Sequence, residues 1–152
     1  MIQAIRNLSL ERRIVATIDF KGYYFVGTVN ALTPIDKFSQ LNEKYLLALI
    51  NSKLLNFYFK NRFTTISLTA AFLGELRIKQ INTTEQKPFI ALVEKILEVK
   101  KLDPTFNTSK WENQIDVMVY HLYNLSYEEA KIIDPELSEE EYEQYAGKTV
   151  PA

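Results

Sequence analysis

From Asn42 to Arg62, apolar side chains recur at three- and four-residue steps: Tyr45, Leu46, Leu49, Ile50, Leu54, Phe57 and Tyr58. That spacing lays one broad stripe along a helix. Asn42, Glu43, Lys44, Asn51, Lys53, Asn56 and Lys60 fall mainly off the stripe, and neither Gly nor Pro interrupts the run. The pattern predicts a half-buried central helix of about five to six turns, at roughly 3.6 residues per turn. Asn51-Ser52-Lys53 lies in its middle, although Asn and Ser weaken helix interiors. On spacing alone, a solvated outer face accounts for that polar step.

Before this helix the period changes. Arg12 to Phe20 is rich in β-branched residues, and Tyr23 to Val29 is aromatic and β-branched. Asp19-Phe20-Lys21-Gly22 separates them, with Gly22 able to take positive φ. A β-hairpin is the simplest reading. Thr33-Pro34 ends it, because the residue before Pro is pushed out of the α region. Met1 to Leu10 gives no clear pattern. After the helix, Phe63 to Gly74 mixes hydroxyl and apolar residues without a period. Leu76-Arg77-Ile78-Lys79 then alternates as a strand would.

Two further helices follow. Thr83 with Gln86, or Thr84, can start the first, whose stripe is Phe89, Leu92, Val93, Ile96 and Leu97; Asp103-Pro104 stops it. A capping box at Ser109 and Glu112 opens the second, with Trp111, Ile115, Met118, Val119 and Leu122 along one face. Stripes of similar length across a short loop predict an antiparallel helical hairpin. Ser126 with Glu129 and Ser138 with Glu141 open two short helices, and Gly147 can close the last. The expected class is α+β and mostly helical: a small β-hairpin and strand unit on a long central helix, then the helical hairpin and short C-terminal helices. Residues 1–82 and 83–152 are expected to share one compact domain.

The run Leu46-Leu47-Ala48-Leu49-Ile50-Asn51-Ser52-Lys53-Leu54-Leu55-Asn56-Phe57-Tyr58-Phe59 resembles a helix of TaqI-like C-terminal specificity domains. These are the target-recognition parts of adenine-specific DNA methyltransferases and of fused type II restriction–modification enzymes. Arg13 to Asp19 with Gly22 to Phe25, Lys87 to Leu97, and Ile115 to Lys131 are similar to further family segments in the same order. The likeness covers about residues 12 to 134. The family's Leu-Pro-Ile-Pro step is Leu76-Arg77-Ile78-Lys79 here, so both prolines are missing. The resemblance implies a DNA sequence-recognition module that orients a catalytic part. Its specificity region is usually longer than what precedes the central helix here, so the chain is expected to be the back portion of a recognition domain.

Composition adds boundaries. The chain has 152 residues, 47% of them hydrophobic, which suits one globular core. It has no Cys and one His, His121, which removes disulfides and thiolate or His-rich metal sites. No apolar run reaches the roughly 18 residues of a membrane span, so a soluble, cytoplasmic protein is expected. The net charge of −1 hides an asymmetry. Met1 to Lys110 carries 16 Lys and Arg against 9 Asp and Glu, whereas Trp111 to Ala152 carries 2 against 10. A basic part joined to an acidic one points to a polyanionic partner for the first; chance with an acidic helical tail is the competing account.

Catalytic signatures are missing. Adenine methylation needs an Asn/Asp-Pro-Pro-Tyr/Phe corner and a Gly-rich cofactor turn, and neither string occurs. No cofactor or metal is expected in this chain, and the resemblance assigns S-adenosylmethionine to the parent enzyme. Binding remains. Arg12, Arg13, Lys21, Lys60, Asn61, Arg62, Thr64 and Thr65 are the candidate contacts to double-stranded DNA, since Lys and Arg meet phosphates and short polar side chains reach base edges. Lys60 and Arg62 would equally suit the C-terminal end of a helix through its dipole. The other expected partner is the catalytic methyltransferase or nuclease part. The alternative function is a helical docking module for a catalytic subunit, or a homodimer, without direct DNA contact.

Overall fold

The computed structural model describes residues 1–24, 27–33 and 40–146. The expected class holds: among these residues it is α+β and mostly helical, with two short strands and seven helices. The expected end of the first unit at Thr33-Pro34 and closure at Gly147 fall on or beside residues outside those described.

The strands differ from the expected hairpin. β1 (Ile2–Gln3) pairs antiparallel with β2 (Val29–Asn30), with Ile2 opposite Asn30 and Gln3 opposite Val29. The N-terminal segment, patternless as sequence, is the centre of the small unit. On another side it meets Ala16 in a single bridge to Ile2, and further on Ser67 in a bridge to Ile5. Residues 12–18 are therefore extended but, among the described residues, make no ladder with the stretch from Tyr23 to Val29, of which residues 25–26 lie outside those described. The turn is as expected: Gly22 has φ of 69°, and the Asp19 carboxylate accepts from the backbone N–H of Lys21 and Tyr23. Leu76 to Ile81, expected as a strand, runs without a ladder. The Lys79 N–H is taken by the Tyr123 hydroxyl instead, at 3.1 Å.

The central helix is two helices. α1 (Glu43–Asn51) ends and α2 (Lys53–Arg62) begins at Ser52, whose φ and ψ of −64° and 152° are extended. The reason is local chemistry. The Ser52 hydroxyl donates to the Leu49 carbonyl at 2.7 Å and accepts from the Leu55 N–H, so it closes one helix and caps the next. Across the interface, the Asp116 carboxylate accepts the Lys53 N–H at 2.7 Å, a favourable place for an anion at a helix start.

α3 (Ala70–Gly74) is a single turn capped by Thr69. α4 (Thr83–Leu102) and α5 (Ser109–Leu122) form the expected helical pair. Their caps differ from those expected. α4 starts on Asn82, with Glu85 completing a capping box, because Asn is the stronger N-cap. At α5 the N-cap Thr108 does not cap with its own side chain: its hydroxyl bonds the Glu112 carboxylate, and Asn107 Oδ1 accepts the Ser109 N–H at 2.9 Å. α6 (Tyr127–Ile133) and α7 (Glu139–Glu143) open on the expected capping boxes of Ser126 with Glu129 and Ser138 with Glu141.

One core joins Tyr45, Leu49 and Leu55 of α1 and α2 to Phe89 and Val93 of α4 and Ile115, Met118, Val119 and Leu122 of α5. A second lies under the N-terminal unit, where Ile2, Ile14, Phe59, Phe63 and Leu68 pack. A third holds α6 and α7 on α5 through Val117, Tyr120, Ala130, Leu137 and Tyr142. Gln86 of α4 ties these parts further: its side chain binds the Asn42 N–H and the carbonyls of Gln40 and Ile81.

Candidate nucleic-acid interface

The polar step inside the central stretch is not a solvated face. Ser52 and Asn56 are buried, and Asn51 and Asn56 grip the extended N-terminal segment. Asn51 Oδ1 accepts the Ala16 N–H at 2.8 Å, while its Nδ2 donates to the Ala16 carbonyl at 3.0 Å. Asn56 Oδ1 accepts the Ile14 N–H at 2.7 Å, and its Nδ2 bonds the Ser52 carbonyl. β1 pairs with one side of this segment, and on the other side two side-chain amides take the place of a strand, satisfying backbone groups that burial would otherwise leave unpaired. Asn51 and Asn56 could have been suspected from the sequence, since amides interrupting an apolar-rich helix need partners.

This grip sets where the candidate contacts fall. The chain passes Asn56 at Ile14 and Asn51 at Ala16, so it runs against the direction of α2 and α1. Arg13, one residue before, meets the far end of α2. Its guanidinium bonds the Thr65 carbonyl and lies 6.0 Å from the centroid of the Phe59 ring, and the residue is only 1% exposed. Arg13 therefore anchors the segment after α2 to the segment before the turn. Lys21, past Ala16, sits in the turn held by the Asp19 carboxylate.

Lys60, Asn61, Arg62 and Thr64 are exposed around the end of α2, and Thr65 is half-buried. The Asn61 amide donates to the Phe57 carbonyl at 2.8 Å. Arg62 sits 3.6 Å from the Glu75 carboxylate and 5.4 Å from the centroid of the Phe63 ring. Such an exposed pair holds weakly and leaves the guanidinium accessible. The Thr65 hydroxyl accepts the Ser67 N–H at 3.1 Å, which shapes the bend. The structure thus brings Lys60, Asn61, Arg62, Thr64, Thr65 and Arg13 together at one end, and sets Lys21 apart.

Arg12 takes a third direction, toward α5. It lies 3.2 Å from Glu112 and 3.9 Å from Asp116. Asp116 is 2% exposed, with its second oxygen lacking a hydrogen bond. Desolvation pushes its pKa up to about 6, against the opposing pull of the Lys53 N–H and the Arg12 charge. Beside this carboxylate is a cleft of about 350 Å³, walled by Leu47, Val93, Ile96, Leu97 and Ile115.

A family model described as the TaqI-like C-terminal specificity domain matches residues 4–83, more than half of the chain. The chain belongs to the TaqI-like C-terminal specificity domain family. The matched range begins just after β1 and holds β2, α1, α2 and α3, including Ser52, Asn51 and Asn56. It stops at the first residue of α4, so the later segments similar to the family, Lys87 to Leu97 and Ile115 to Lys131, lie beyond it. Among curated proteins and among solved structures, nothing matches the chain. A specificity domain is a recognition part and is not itself catalytic. Among the described residues, no group of His, Cys, Asp or Glu is placed to hold a metal ion. No described helix is long and apolar enough to cross a membrane.

Proposed function

We propose that this chain is the DNA sequence-recognition module of an adenine-specific DNA methyltransferase or type II restriction–modification enzyme, and that it orients the catalytic part on target DNA. Membership of the TaqI-like C-terminal specificity domain family carries the reading. In it, Lys60 and Arg62 meet backbone phosphates, and Asn61 and Thr64 face the groove. Thr65 and the buried Arg13 hold the segment that presents them. Lys21 makes a separate phosphate contact, and Arg12, paired to α5, contributes positive potential at the edge. The acidic surface after Lys110 faces away from the duplex. Residues 1–82 and 83–152 act as one unit, with S-adenosylmethionine and the reacting base handled by the catalytic part in the cytoplasm.

A salt titration tests this. Double-stranded DNA releases condensed counterions when cations bind its phosphates, so log affinity falls with log salt by about 0.9 per contact. Replacing Lys60 and Arg62 with Ala should weaken binding alike for all sequences and reduce that slope by about one to two. An unchanged slope would favour the second reading, a module that docks on a catalytic subunit or a second copy. The apolar cleft beside Asp116 is the observation on that side.

A further inference from the structure

The turn that sets Lys21 apart also exposes aromatic rings. Phe20 is 68% and Tyr23 60% exposed, and Tyr24 is entirely so. Three large rings in five residues at one tip are costly to leave in water unless something covers them. The tip is pre-shaped. Both Asp19 carboxylate oxygens are turned inward onto the N–H groups of Lys21 and Tyr23, at 2.8 and 2.6 Å. Those bonds, that to Lys21 first, hold the Asp19 pKa below its ordinary value. Gly22 supplies the positive φ that closes the turn. With the carboxylate turned inward, the charge the tip presents outward is the Lys21 ammonium, 5.8 Å from the centroid of the Tyr23 ring.

Aromatic faces with an adjacent cation complement a nucleobase with its phosphate. Bases stack on aromatic side chains whatever their identity, and side-chain wedges that enter a duplex must meet the cost of unstacking, which a base already out of the stack spares them. We propose that the Asp19–Tyr24 tip is an aromatic wedge for an unstacked base: Phe20 and Tyr24 stack on it, and Lys21 meets the flanking phosphate. This rests on the DNA-recognition reading and adds a second contact, remote from Lys60 and Arg62, that senses base stacking and not base identity.

The test uses the whole chain and two labelled duplexes at low salt, one fully paired and one with a single bulged 2-aminopurine. Binding is read by anisotropy, and base environment by 2-aminopurine fluorescence. The wild-type chain should bind the bulged duplex about tenfold more tightly and quench the bulged base. Phe20→Ala with Tyr24→Ala should remove the preference and the quenching while leaving paired-duplex affinity unchanged. Both side chains are exposed, so the variant should keep the wild-type melting temperature. Equal binding of the two duplexes by the wild-type chain would overturn the wedge and leave the DNA reading standing. No binding to either duplex would overturn both. Wild-type dimerisation that the double variant loses, seen by sedimentation, would assign the rings to a second copy and also overturn the wedge.

Discussion

Asn51 and Ala16 exchange a pair of hydrogen bonds, 2.8 Å from the Ala16 N–H to Oδ1 and 3.0 Å from Nδ2 to the Ala16 carbonyl. The amide stands in for an absent β-strand. Asn56 does the same for the Ile14 N–H in a more buried place. Asn56→Ala should therefore cost about 2–3 kcal/mol, because a buried donor is left unpaired. Asn51→Ala, half-buried, should cost about 1–2 kcal/mol. Urea denaturation of the two variants checks the order; equal, negligible losses would mean that residues 14–16 do not depend on the amides.

Asp116 gives a pH signature. Its folded pKa, about 6, lies above its ordinary value, so the folded state binds the proton more tightly than the unfolded one. The resulting stability is present below about pH 4 and lost as pH rises through about 6. Asp116→Asn keeps an acceptor for the Lys53 N–H and removes the buried charge. At pH 7 it should be more stable than wild type by about 1–2 kcal/mol, with a flatter stability profile between pH 4 and 6. A less stable variant at pH 7 would show that Arg12 and the α2 start already offset the charge.

Trp111 begins the apolar face of α5, and a ring fully enclosed between the helices would make its loss cost about 3 kcal/mol. The ring is half-buried instead, stacked on Phe106 with centroids 6.1 Å apart. Trp111→Ala should thus cost about 1–2 kcal/mol, below the range for a fully enclosed ring. Phe89, 0% exposed and edge-on to Tyr45 at 5.4 Å, should cost about 3–5 kcal/mol on truncation to Ala. Thermal melts of the pair should rank them in that order.

The helical pair and the start signals of α6 and α7 were legible because they are local. The boxes at Ser126 and Ser138 needed only residues three apart, and the Asp103-Pro104 stop only a neighbour. What escaped was non-local. Met1 to Leu10 carries no period because it pairs with three different segments over a few residues each. The Ser52 hydroxyl makes the break locally, but the Asp116 carboxylate that takes the Lys53 N–H beside it comes from 63 residues away. Of the candidate contacts, the exposure of Lys60, Asn61, Arg62 and Thr64 fitted their place at a helix end. Arg13 did not reveal its burial, because its partner is a backbone carbonyl 52 residues away.

The central claim is that this chain reads DNA sequence, and selection from a duplex pool with randomised positions measures it most directly. The parent enzyme, or this chain at high concentration, should enrich one motif. Lys60→Ala with Arg62→Ala should lower recovery without changing the motif, since phosphates carry no sequence information. Thr64→Ala should alter the preference at one or two positions, by about 1–3 kcal/mol per base pair. An unenriched pool, or a motif that survives Thr64→Ala and Asn61→Ala unchanged, would contradict the account.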